Sequence, residues 1–249
     1  MKVKVALFIP CYIDQFYPKV GMATLQLLEN QGVSVEFPLS QTCCGQPMAN
    51  SGCEADSVET YQHFVKTFAN FDYVVMPSGS CAYHVRKHYD IIEQTPAVQK
   101  IRKNTFELVQ FLTEILKIDK IETSFPYKVG LHQSCHGQRG LRLANSSEIT
   151  PEKNGQVSHF LKQIKDLELV ELDRNDECCG FGGSFCISEE AVSARMGIDR
   201  VNDHLKNGTQ VLTGGDMSCL MHMEGIIRRQ KLPIKVMHVA EILNGNQPV

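Results

Sequence analysis

One cysteine arrangement occurs twice along this chain, and that repetition constrains the fold more tightly than any other feature. Cys11, the triplet Cys43-Cys44-Gly45 and Cys81 form the first copy; Cys135, the triplet Cys178-Cys179-Gly180 and Cys219 form the second. Eight of the ten cysteines belong to it, too ordered a set for scattered core thiols. The flanks repeat as well. Cys11 closes the apolar run Val5-Ala6-Leu7-Phe8-Ile9-Pro10, and Cys135 follows Val129-Gly130-Leu131-His132-Gln133-Ser134. Cys81 and Cys219 each follow a β-type run, a glycine-containing turn and a serine. The second copy is longer between its landmarks, which predicts insertions in loops or helix extensions. Such a duplication predicts two similar halves, 1–124 and 125–249, each a cysteine-rich repeat with one metal or cluster site.

Short apolar runs alternate with amphipathic stretches in both halves. Residues 3–9 read as a buried strand, 20–28 as a helix with Val20, Ala23, Leu27 and Leu28 on one face, and 34–37 as a second strand. A helix over 55–69, a strand over 73–76, a helix from the Cys81 turn to His88 and a helix over 105–116 complete the first half. The second half repeats the rhythm, with strands at 128–132, 168–172, 210–213 and 235–237 and a helix near 157–164. Ser188 reads as the N-cap of a helix whose apolar line is Ala191, Ala194, Ile198, Val201 and Leu205. The pattern predicts an α/β fold of two similar halves, each with a mainly parallel sheet flanked by helices. Ligand groups in such sheets gather beyond the carboxyl ends of the strands, so distant cysteines converge on one rim.

Composition narrows the function. A hydrophobic share of 43%, a charged share of 21% and a net charge of −3 describe an ordinary globular chain with no basic field for nucleic acid or anionic lipid. No stretch approaches the roughly 18 consecutive apolar residues of a membrane span. The start, Met1-Lys2-Val3-Lys4-Val5, runs into a strand pattern rather than a signal peptide. The expectation is a cytoplasmic chain with reduced thiols, in which ordered cysteines serve as ligands or redox centres.

Four converging thiolates per half suit zinc or an iron–sulfur cluster. Structural zinc sites draw their ligands from close pairs two to four residues apart, which neither half has. Adjacent cysteines strain a tetrahedral knuckle, whereas two neighbouring side chains reach different irons of a larger cluster. Gly45, Gly180, Gly182 and Gly183 allow positive φ and bring backbone N–H groups toward bound sulfur. Zinc stays as the alternative.

These motifs resemble the cysteine-rich CCG family, which includes the CCG-bearing subunit of heterodisulfide reductase and glycolate oxidase iron–sulfur subunits. Thr42-Cys43-Cys44-Gly45-Gln46-Pro47, Pro77-Ser78-Gly79-Ser80-Cys81, Cys178-Cys179-Gly180-Phe181-Gly182-Gly183, Ser218-Cys219-Leu220 and Lys235-Val236-Met237-His238-Val239-Ala240-Glu241 are similar to its lactate-utilisation A group over nearly the whole chain. The resemblance implies an iron–sulfur subunit of a complex that oxidises L-lactate to pyruvate with lactate-utilisation proteins B and C. It implies one cluster per repeat, of the 4Fe-4S type, on Cys11, Cys43, Cys44 and Cys81 and on Cys135, Cys178, Cys179 and Cys219. The fuller family pattern ends in Cys-x-x-Cys; here Ser78 and Asp216 stand in place of the first cysteine of those pairs. That puts a five-thiolate cluster in doubt and leaves Ser78 and Asp216 as possible oxygen ligands.

Other candidates are weaker. His84 and His222, each three residues after the last cysteine of their set, read as helix-surface histidines. His132 and His136 flank Cys135 and suit a role as proton carriers or donors behind the ligands. Arg139 and Arg142 suit a carboxylate or a cluster charge. Cys53 and Cys186 have no counterparts in the opposite repeat and read as small core hydrophobes. The first strand ends in Pro10-Cys11, where a dinucleotide site would place its glycines, so no nicotinamide or flavin site is visible. The catalytic residues of lactate oxidation are not identified in this chain. Alternatives to the lactate reading are a heterodisulfide-reductase-like thiol/disulfide redox subunit and a structural zinc module.

Overall fold

The computed structural model of the chain describes residues 3–145 and 155–248. Eight strands form two separate four-stranded sheets of the same topology. The first contains β1 (Val5–Leu7), β2 (Val35–Glu36), β3 (Tyr73–Met76) and β4 (Thr105–Glu107) in the order β2-β1-β3-β4. The second contains β5 (Lys128–His132), β6 (Glu168–Leu169), β7 (Val211–Gly214) and β8 (Lys235–His238) in the order β6-β5-β7-β8. Every pairing is parallel. The α/β class and the duplicated architecture are therefore as the sequence predicts.

Parallel central strands are covered on both faces, which explains their continuous apolar runs. Val5, Ala6 and Leu7 of β1 and Val74, Val75 and Met76 of β3 are all buried. One apolar core runs through both halves, joining Leu27 and Leu28 to Phe111, Phe160, Leu220 and Ile242. The closing helix Val239–Leu243 packs on the early helix Pro18–Asn30, so the chain's end is seated on its first half. A second cluster, around Phe8, Tyr61, Phe64, Phe68 and Tyr89, covers the outer face of the first sheet.

The structure departs from the sequence reading at several elements. Thr105–Glu107 is the edge strand β4 rather than the start of a helix; the helical turn begins at Leu108 and passes into a π-helical turn at Phe111–Ile115. Thr105 pairs with Val74 and Phe106 with Val75, and both are buried against the sheet. A helix over Pro96–Asn104, which carries only Val98 and Ile101 as buried residues, has no counterpart in the apolar periodicity. Ser188 is the last residue of a short helix, Phe185–Ser188, and does not cap the next one, Glu190–Lys206. The buried face of that longer helix is polar and small, with Ser193, Gly197, Arg200, Val201, Asp203 and His204, while Ala191 and Leu205 are exposed. β6 is shorter than the predicted strand over 168–172. Among the described residues no helix is long and apolar enough to cross a membrane.

Candidate metal centre

In each sheet the strand order reverses beside the first strand, so the loops after β1 and β3, and after β5 and β7, diverge around a crevice. Cys11 opens the helix Cys11–Phe16 shortly after β1, and Cys81 lies in the first turn of Gly79–His88 after β3. Cys43 and Cys44 come from the loop between β2 and the helix Gln46–Asn50. In the second half Cys135 precedes the π-helical turn His136–Gly140, Cys178 and Cys179 follow β6, and Cys219 lies in the first turn of Met217–Gln230.

The topology brings each set together. In the first set the Cys44 and Cys81 sulfurs lie 3.3 Å apart in a thiol hydrogen bond, and the Cys11 and Cys43 thiols perturb one another electrostatically. In the second set Cys179 and Cys219 lie within 4.8 Å of each other's sulfur, and the Cys135 and Cys178 thiols perturb one another electrostatically. The adjacent cysteines differ in their contacts, Cys44 meeting Cys81 while the Cys43 sulfur accepts from the Gly45 N–H.

The thiols do not titrate alike. S–H donation from Cys11 and Cys44, with the Gly45 N–H at 3.3 Å, holds the Cys43 thiol far below its usual range. Donation from Cys135 and Cys179, with the Gly180 N–H at 3.4 Å, does the same for Cys178. The donors Cys11, Cys44, Cys135 and Cys179 are pushed up, first by giving their protons to these neighbours and then by burial.

Glycine is required at both turns. Gly45 has φ +88, and a Cβ there would run into the Tyr61 ring. Gly180 has φ +86, and its Cβ would meet the Ser193 carbonyl oxygen and Met196 Cβ at 2.7 Å. Gly182 and Gly183 also have positive φ.

Both sets open on one cleft of about 270 Å³, lined by all the cysteines of the double pattern except Cys43. Tyr12, beside Cys11, meets Phe181 of the second glycine loop edge-on at 5.8 Å, and Ser184 Oγ donates to the Asn50 carbonyl at 3.1 Å. Asp216 joins the halves beneath the cleft. Only 1% exposed, its carboxylate accepts from Ser78 Oγ and Ser80 Oγ at 2.8 Å and from the Ser80 N–H at 3.1 Å. A fourth donor, Ser134 Oγ, comes from the loop after β5 in Asp216's own half at 2.5 Å, so the contacts from Ser78 and Ser80 are the ones that cross between halves. Ser78 also caps its own helix through the Cys81 N–H at 3.2 Å. The two residues that stand in place of the missing cysteines therefore bond to one another.

Residues 5–86 and 129–224 match the family described as cysteine-rich domain, CCG. The chain is 40% identical over 249 residues to lactate utilization protein A of Halalkalibacterium halodurans, covering 98% of each chain. It is 39% identical to lactate utilization protein A of Exiguobacterium sp., with 96% of each covered. The chain belongs to the cysteine-rich CCG family, in its lactate utilization protein A group. A hypothetical protein from Helicobacter pylori of known crystal structure shares the fold, with a TM-score of 0.61 and 11% identity over 98% of this chain. The chain spans about half of that protein's length (49%).

Within this CCG fold the weaker candidates take definite places. His84 is buried rather than on a helix surface: its Nε2 meets the Tyr61 hydroxyl at 2.9 Å, and burial lowers its pKa to about 3. His222 is half-buried against the Ser193 carbonyl. His132 is buried, with its pKa lowered to about 3 by burial, and His136 Nδ1 lies 3.7 Å from Cys135 Sγ. Arg139 and Arg142 are exposed and do not line the cleft; Arg139 pairs with Asp176 at 3.9 Å. Cys53 is exposed rather than a core residue, and Cys186 is half-buried with its thiol on the Gly183 carbonyl. Ser80, Ser134 and Arg200 escape a reading by sequence. The only signal for the serines is their place in the turns that deliver Cys81 and Cys135, and Arg200 stands inside a helix marked by its apolar residues.

Proposed function

We propose that this chain is the iron–sulfur subunit of a complex that oxidises L-lactate to pyruvate and passes the electrons through thiolate-bound clusters. The observation that carries the reading is the pair of four-cysteine sets whose members, all but Cys43, line a single cleft. The name borne by the full-length relatives supports lactate as the fuel. Cys11, Cys43, Cys44 and Cys81 would hold one cluster, and Cys135, Cys178, Cys179 and Cys219 the other. Bound clusters of the 4Fe-4S type would supply one-electron acceptance, two sites matching the two electrons that leave lactate.

The chain's own residues prepare these sites. Gly45 and Gly180 aim N–H groups at sulfur, and Gly182 and Gly183 carry the second loop over the cleft. Tyr12 and Phe181 line the cleft and meet edge-on, and Asp216 bonds the halves to one another through Ser78 and Ser80. The organic step belongs to partner proteins, lactate-utilisation proteins B and C, and the complex to the cytoplasm.

The test is anaerobic addition of L-lactate to the cluster-loaded chain, alone and with both partners. Bleaching of the visible cluster absorption only in the complete mixture supports the reading. A mixture that stays coloured with lactate yet bleaches with glycolate moves the substrate. Reduction of a disulfide by the chain alone moves the activity to the heterodisulfide-reductase class.

A further inference from the structure

The two halves repeat a backbone, yet the residues behind the cysteines differ in chemistry. Three positions before the first cysteine of each set, at the end of the first strand, stand Phe8 in one half and His132 in the other. Phe8 packs edge-on against Phe64 and Phe68 of the helix Val58–Phe68, with centroids 5.1 and 5.9 Å apart. His132 instead meets the topologically equivalent helix, Glu190–Lys206, at Arg200, which is 0% exposed. Arg200 Nε donates to His132 Nδ1 at 3.3 Å, while Arg200 Nη1 pairs with Asp203 at 2.8 Å.

A guanidinium has no acceptor, so Nδ1 must be the bare nitrogen of the ring and the proton sits on Nε2. That N–H is buried and has no hydrogen-bond partner among the described residues. A buried orphan donor is costly unless something accepts from it. A ring nitrogen of His132 and the sulfurs of Cys179 and Cys219 lie within 4.8 Å of one another, and among the described residues the first half has no such trio. The first half's buried imidazole, His84, comes from another element and has its Nε2 engaged by Tyr61.

We propose that His132, its tautomer fixed by Arg200, donates its Nε2–H to sulfur at the second cysteine set, so that the two sites are inequivalent and the second is the more readily reduced. A donor to sulfur withdraws charge and favours the reduced cluster, whereas a phenyl ring in the same place donates nothing. The pinning also argues against imidazole ligation, because binding through Nε2 would force the ring proton onto Nδ1, against the Arg200 N–H. The inference rests on the iron–sulfur reading above.

The test is a mediated redox titration of the anaerobically loaded chain. Cys179→Ser and Cys44→Ser, which each leave one site, assign the two waves, and the wave retained in Cys44→Ser should lie at the more positive potential. His132→Phe should move that wave to lower potential and leave the other in place, while His132→Gln, which keeps an N–H, should restore much of the shift. A wild-type chain that binds iron but shows a single potential, or the reverse order, overturns the proposal. So does His132→Phe with full iron content, a native circular dichroism spectrum and unmoved waves. A wild-type chain that takes up no iron overturns the iron–sulfur reading itself, and the proposal with it.

Discussion

Glu107, at the end of β4, is 1% exposed; one carboxylate oxygen accepts from the Gln110 N–H at 2.9 Å and the other has no partner among the described residues. Burial, with the Asp216 carboxylate nearby, raises its pKa from 4.5 to about 8. The folded chain therefore holds a proton that the unfolded chain loses above its lower pKa. Stability from this group is complete below about pH 4.5 and falls as pH rises toward about 8, by up to about 1.4 kcal/mol per pH unit. Glu107→Gln should match the wild type near pH 4.5, exceed it at pH 8 and flatten the slope between, as read by denaturant midpoints. An unchanged slope contradicts the account. At this scale the sequence is an uneven guide. Cysteine spacing picks out eight thiols, seven of which line one cleft, because their order reflects the topology. The burial of His84 and Arg200 is not legible, because a polar residue on a helix shows its surroundings only once the helix is packed.

Turns make the difference at the scale of elements. Gly180 sits at positive φ with the Ser193 carbonyl where a Cβ would go, so the loop that places Cys178 and Cys179 depends on that residue. Gly180→Ala should cost about 1–2 kcal/mol from backbone conformation alone, with the steric clash in addition. The thermal midpoint should fall, and iron loading should drop at the second site only; a wild-type midpoint would show that the loop has room. Strands rich in β-branched residues are readable from their runs, as Tyr73–Met76 and Val211–Gly214 show. Thr105–Glu107 reads as helix because its apolar residues continue in register with Leu108 and Leu112, and only the pairing with β3 separates strand from helix. The helix Pro96–Asn104 is hidden because two buried side chains are too few to make a period.

The whole molecule depends on how its halves are joined. Duplicated cysteines imply two sheets, but nothing in the spacing implies that both sets share a cleft or that Asp216 sits between them. Asp216→Ala should leave the Ser78, Ser80 and Ser134 donors without their acceptor, and hydrogen bonds to a charged group are worth roughly 1.5–3 kcal/mol each. We expect a loss of about 3 kcal/mol or more in equilibrium unfolding, with Asp216→Asn retaining part of it. A loss under about 1 kcal/mol would mean that the shared apolar core alone holds the halves together.

We propose that each half supplies one thiolate-bound iron–sulfur site. It is tested most directly by iron and acid-labile sulfide content, with visible and EPR spectra, on chain reconstituted without oxygen and compared with Cys44→Ser and Cys179→Ser. The account predicts about four irons and four sulfides per cysteine set, with each substitution removing one set's share and sparing the other. Stoichiometric zinc without iron uptake, or iron that neither substitution removes, would contradict it.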